Sequence, residues 1–153
     1  HIATHAFGKI TLFFCAGAVL VATHKTKVSQ MNGLGRQMPW TMGAFLLAGL
    51  SIAGLPPMGG MWSKWYLALG AIDAGYTVLV GVLMVSTLLN IAYLVPVPIR
   101  AFFCSPDFDG TTQIREAPAA CLIAMAVTVI GCGLLFFNPT WVLQLAGLLV
   151  DWE

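Results

Sequence analysis

Four ionisable side chains sit where an apolar chain offers them little water. His1, His5 and Lys9 recur every four residues along an opening run that is otherwise apolar as far as Thr23. Each four-residue step on an α-helix drifts by only about 40°, so the three share one face. Ionisable groups aligned along an apolar helix can hand a proton from one to the next. A histidine simply satisfied inside a core is the competing explanation, and it is weaker for three in register than for one. Lys64 is the fourth. It follows the run from Gly54 through Pro56, Pro57, Gly59 and Gly60, in a stretch that holds no charge from Gln37 to Ser63. A lysine at the centre of a spanning helix costs ~3 kcal/mol on insertion scales, and a desolvated amine gives up its proton more readily than one in water. Lys64 is therefore a candidate proton relay. Snorkelling to an interface or stacking on Trp62 or Trp65 would use the same side chain structurally.

The remaining polar residues are weaker candidates. Asn90 and Tyr93, one turn apart in the next apolar run with Ser86 a turn earlier, suit either a water chain or hydrogen bonds between helices; Ser63 stands beside Lys64. Asp73 lies in a turn, and Asp107, Asp109 and Glu116 read as loop charges. Cys15, Cys104, Cys121 and Cys132 form no CxxC pair and no zinc-like cluster with histidine, so buried small hydrophobes are expected. No phosphate loop, nucleophile elbow or metal ligand set occurs, and Gly33-Leu34-Gly35 lacks the last glycine of a dinucleotide fingerprint. No catalytic residue, metal or cofactor is expected.

The elements that must hold these residues belong to a membrane. Hydrophobic residues make up 59% of the 153 and charged residues 8%, with a net charge of +1. A soluble domain carries about 25% charged residues, so a soluble enzyme is excluded. Disorder is excluded by the apolar content and nucleic-acid binding by the absence of clustered base. The expected fold class is an all-α membrane protein of four to five transmembrane helices, with spans near 1–23, 39–56, 58–75, 77–99 and 117–137. Segments 39–56 and 58–75 are either two spans or one broken span. Pro56, Pro57, Gly59 and Gly60 with Gly54 forbid a continuous helix there, and hydrocarbon tolerates broken backbone only where protein or a water-filled cavity supports it. Gly49 and Ala53 suit close helix packing. Pro39 suits a first helical turn, and Trp40, Trp141 and Trp152 suit interfacial anchors. The linker with Lys25, Lys27 and Arg36 is the most basic loop, by one residue, which favours a cytoplasmic side. The start at His1, inside an apolar run, suggests part of a longer chain.

These residues also resemble a known family. The run from His1 to Gly17 is similar to the HxxxHAxxKxxLFxxxG helix of the antiporter-like membrane subunits found in NADH:quinone oxidoreductase and in Mrp-type cation/proton antiporters. Met31 to Pro39 is similar to that family's GLxxxxP linker. Leu50 to Lys64 is similar to its LsxxGlPPxxGFxsK signature, with Met61 where the family often has Phe. The resemblance covers the first half of the chain; the second half agrees only in hydropathy.

The resemblance implies that Lys64 is the key lysine of a discontinuous helix. It also implies that Lys9, His5 and His1 lie on a polar axis, and that the chain is the C-terminal part of a larger, multi-pass inner-membrane subunit. The first half-channel, with its Glu–Lys pair, would then lie elsewhere, and this part alone should not move protons. The implied partners are other membrane subunits of a hetero-oligomeric complex, protons, monovalent cations and the lipid bilayer. The linker from Thr23 to Met31 and the run Ser63-Lys64-Trp65-Tyr66 look closer to the Mrp-type cation/proton antiporters than to the oxidoreductase. An antiporter subunit moving Na⁺ against protons is therefore the expectation, with the proton-pumping subunit of the oxidoreductase, a translocase without its own active site, as the alternative.

Overall fold

Apolar runs punctuated by proline and glycine fold into helices. A computed structural model describes residues 1–106 and 114–150. Asp107, Asp109 and Trp152 lie outside the described residues. In chain order the α-helices are α1 (Ile2–Thr23), α2 (Pro39–Ala53), α3 (Gly60–Asp73), α4 (Thr77–Leu94), α5 (Pro96–Phe103), α6 (Ala119–Phe137) and α7 (Thr140–Val150). The protein is an all-α membrane protein. Ile2–Thr23, Thr77–Phe103 and Ala119–Phe137 are each long and apolar enough to cross a bilayer. One expected boundary moves: α5 continues from α4 to Phe103, so Arg100 lies within a helix rather than closing one. Pro96 and Pro98 sit in the first turn of α5, where a missing N–H costs little.

The segment from Pro39 to Asp73 forms two short helices. At 1.5 Å per residue the 15 residues of α2 extend about 22 Å and the 14 of α3 about 21 Å. Neither reaches the ~30 Å of a hydrocarbon core by itself. Between them, residues 54–59 are held by the neighbouring span: the Gly59 N–H donates to the Cys132 carbonyl of α6 at 3.1 Å. Gly60 opens α3 against the end of α2, where a Cβ would run into the Ser51 carbonyl.

The core lies between α1, α2 and α6 at the linker end. Its buried members include Cys15, Val19, Leu34, Met38, Met42, Ala101 and Met125. The thiol of Cys15 meets Met125 Sδ at 3.3 Å, and Cys132 is also buried, while Cys104 and Cys121 are partly so. The loops close over this end: the Gly33 N–H donates to the Arg100 carbonyl at 3.1 Å. Lys25, Lys27, Arg36, Arg100 and Arg115 therefore gather at one end of the bundle. Trp40 and Trp141 are exposed, as interfacial anchors would be.

Glu116 corrects its reading as a loop charge. Its carboxylate accepts from the Trp40 N–H at 3.2 Å, the Thr41 N–H at 3.3 Å and the Thr41 hydroxyl at 2.5 Å. Those N–H groups belong to the first turn of α2, which Met38 leaves without a side-chain cap. An acid from a distant loop thus does the work that Ser, Thr or Asp usually does next door. Glu116→Ala should destabilise the protein by about 1–2 kcal/mol, read as a lower melting temperature in detergent. A melting temperature equal to that of wild type would remove the cap's importance. Gly60→Ala should cost at least about 2 kcal/mol, because backbone blocks its Cβ. Gly70→Ala, whose Cβ meets nothing within 4 Å, should be neutral or mildly stabilising. Equal effects from the two would remove the close approach of α3 to α2 as the reason for Gly60.

Candidate functional site

The break builds the site. Gly54 ends α2 at φ 82° and ψ 33°, a left-handed conformation that glycine adopts without strain. Its N–H bonds the Leu50 and Ser51 carbonyls, and the Leu55 N–H bonds Leu50 as well. The Ala53 carbonyl is left pointing out of the helix end. Lys64, one turn into α3, fills that position: Nζ donates to the Ala53 carbonyl oxygen at 2.8 Å. It donates also to Thr87 Oγ1 on α4 at 2.9 Å. Gly54 serves twice, because a Cβ there would stand 2.6 Å from Lys64 Cδ and block the lysine stem.

The ammonium therefore ties α2, α3 and α4 together at one point. It sits at the C-terminal end of α2, where the helix dipole favours a cation. It neither snorkels away nor takes an indole as its hydrogen-bond partner. Trp62 instead donates its Nε1–H to the Phe136 carbonyl at 2.9 Å.

Ser63 points about 100° around the helix from Lys64 and meets α1. Its hydroxyl donates to the Gly60 carbonyl at 2.9 Å, and His1 Nδ1 lies 2.9 Å from the same oxygen. The serine has a single hydrogen, already committed, so the imidazole is the donor in this contact. The His5 ring follows at a centroid separation of 5.5 Å from that of His1. An open pocket of about 390 Å³ lies beside them, lined by His1, Thr4, Gly59, Ser63 and Tyr66 among apolar residues.

Not every candidate joins this group. Gly8, Thr11, Cys15 and Ala18 form the buried stripe of α1. The His1, His5, Lys9 row starts at the flank of that stripe and winds away from it. Lys9 ends up exposed and makes no hydrogen bond or ion pair with a described residue. Asn90 and Tyr93 bond each other, with the Tyr93 hydroxyl donating to Asn90 Oδ1 at 2.5 Å, and do not reach Lys64. Thr87 and the Ala53 carbonyl are partners that the sequence does not single out. Nothing in it ranks Thr87 above Ser86 beside it, and a backbone carbonyl has no sequence signal beyond the break that exposes it. Among the described residues no group of His, Cys, Asp and Glu could hold a metal.

Residues 1–90 match the family model described as NADH:quinone oxidoreductase/Mrp antiporter, TM. The chain is 38% identical over 165 residues to NADH-quinone oxidoreductase subunit N of Desulforudis audaxviator, covering all of the chain and 33% of that protein. It is 33% identical over 119 residues to NADH-ubiquinone oxidoreductase chain 5 of Sus scrofa, covering 76% and 20%. It is 28% identical over 151 residues to hydrogenase-4 component B of Escherichia coli, covering 92% and 22%. The chain thus spans a third or less of the length of these relatives. With its match running from the His1 helix through the broken helix to Asn90 of α4, the chain belongs to the NADH:quinone oxidoreductase/Mrp antiporter transmembrane family.

Proposed function

We propose that this chain is the C-terminal part of a proton-translocating, antiporter-like subunit of the NADH:quinone oxidoreductase type, with Lys64 as its relay. The observation that carries the proposal is the seat of the ammonium. Lys64 lies at a helix break, between a free carbonyl and a hydroxyl, and both keep their contacts whether the nitrogen carries three hydrogens or two. A nitrogen so held can change charge without moving its neighbours. Ser63 and His1 supply the adjoining polar contact, His5 extends it by one turn, and Lys9 continues the row. The basic end of the bundle faces the cytoplasm by the positive-inside rule, and the partners are further membrane subunits of a respiratory complex in the inner cell membrane. The oxidoreductase type is preferred over an Mrp-type cation/proton antiporter because two of the three relatives named above carry NADH oxidoreductase names.

Lys64→Ala in the full-length subunit should lower proton translocation in inverted membrane vesicles by about tenfold or more, with the complex still assembled on native gels. Translocation at wild-type rate by Lys64→Ala or Lys64→Met would make the ammonium a packing feature and end the proposal. Deleting the whole subunit should abolish NADH:quinone turnover and leave salt tolerance unchanged. The reverse pattern would assign the chain to a cation/proton antiporter.

A further inference from the structure

A threonine inside an apolar helix ordinarily returns its hydroxyl hydrogen to the carbonyl one turn back. Thr11, Thr23 and Thr128 do so, to Phe7 at 2.8 Å, Val19 at 2.8 Å and Ala124 at 3.1 Å. Thr87 does not. Among the described residues its side chain makes one hydrogen bond, the one it accepts from Lys64 at 2.9 Å. Its hydroxyl hydrogen is left uncommitted and, because Oγ1 accepts from the ammonium, points away from it. Thr87 stands ten residues into α4, about 15 Å along the helix and so near mid-depth in a ~30 Å hydrocarbon layer. A hydroxyl there that keeps its hydrogen free forgoes the local bond that Thr11, Thr23 and Thr128 make, at a cost in stability.

We propose that Thr87 is the residue through which Lys64 exchanges its proton; the inference rests on the relay assigned to Lys64 above. The step balances with water as the co-reactant. The Thr87 O–H bond breaks as its proton passes to a water molecule, and one Lys64 N–H proton passes to Thr87 Oγ1. The ammonium becomes an amine, the water becomes hydronium, and the threonine ends with the hydroxyl it began with. The amine keeps two hydrogens, enough to hold the Ala53 carbonyl and bond Thr87 again. Reversal reloads the lysine. Serine in place of threonine preserves every atom of this step, whereas valine preserves the shape and removes it.

The test uses the full-length subunit in its assembled complex, with rates taken per assembled complex. Thr87→Val should lower proton translocation about tenfold, the effect of losing a hydrogen bond to a charged group. Thr87→Ser should run within about twofold of wild type. If Thr87→Val fails to assemble, Thr87→Ala takes its place with the same expectation. Full activity in the hydroxyl-free variant while Lys64→Ala is inactive overturns the role of Thr87 and leaves the relay standing. A loss in Thr87→Ser as deep as in the hydroxyl-free variant overturns it too. Full activity in Lys64→Ala overturns the relay itself.

Discussion

A broken helix in hydrocarbon leaves carbonyls that lipid cannot satisfy, and a lysine in hydrocarbon leaves an ammonium in the same position. Each is costly alone, by several kcal/mol for an unmet polar group in a bilayer. Here the two faults meet each other, with Lys64 Nζ 2.8 Å from the Ala53 carbonyl oxygen. The local design follows from that contact. Gly54 ends α2, turns the chain and clears a path for the lysine stem, the Pro56-Pro57 pair keeps the helix from resuming at once, and Gly60 lets α3 start against Ser51. Thr87 supplies the second acceptor, so the charge also fixes α4 to the break.

The opposite end of α2 obeys the same logic with the sign reversed. Glu116 accepts from the first-turn N–H groups of Trp40 and Thr41, and so places an anion where the helix dipole is positive. A helix of 15 residues is thereby bracketed by an acid at its start and a base at its end. A short helix that does not span the bilayer needs this more than a long one, because its unpaired backbone groups make up a larger share of its residues.

Function attaches to this scaffold through adjacency. Ser63 and Lys64 are neighbours in sequence but face different elements, Ser63 toward His1 on α1 and Lys64 toward α2 and α4. The break thus stands between a histidine row on one side and a hydroxyl on the other. Lys9, at the far end of that row, faces outward and has no described partner. The chain corresponds to a third or less of the length of the relatives named above.

Much of this was legible in the residues alone. Unbroken apolar runs of bilayer length read as helices, because the other spanning structure, a closed barrel, needs short strands that alternate apolar and polar, and a Pro-Pro pair flanked by glycines can only interrupt a helix. The placement of Lys64 just after that interruption, and the register of His1, His5 and Lys9, follow from spacing. Three things did not follow from it. The cap on α2 comes from Glu116, some 75 positions away, and a carboxylate in a loop carries no mark of the helix it will meet. The extension of the fourth span through Pro96 to Phe103 depends on prolines falling in a first turn, which sequence allows but does not require. The partners of Lys64 are a backbone carbonyl and one threonine among several. Spacing along a chain determines which residues share a helix face; only packing of separate helices decides which acceptor a lysine reaches, because that choice depends on distances between segments that the chain order does not contain.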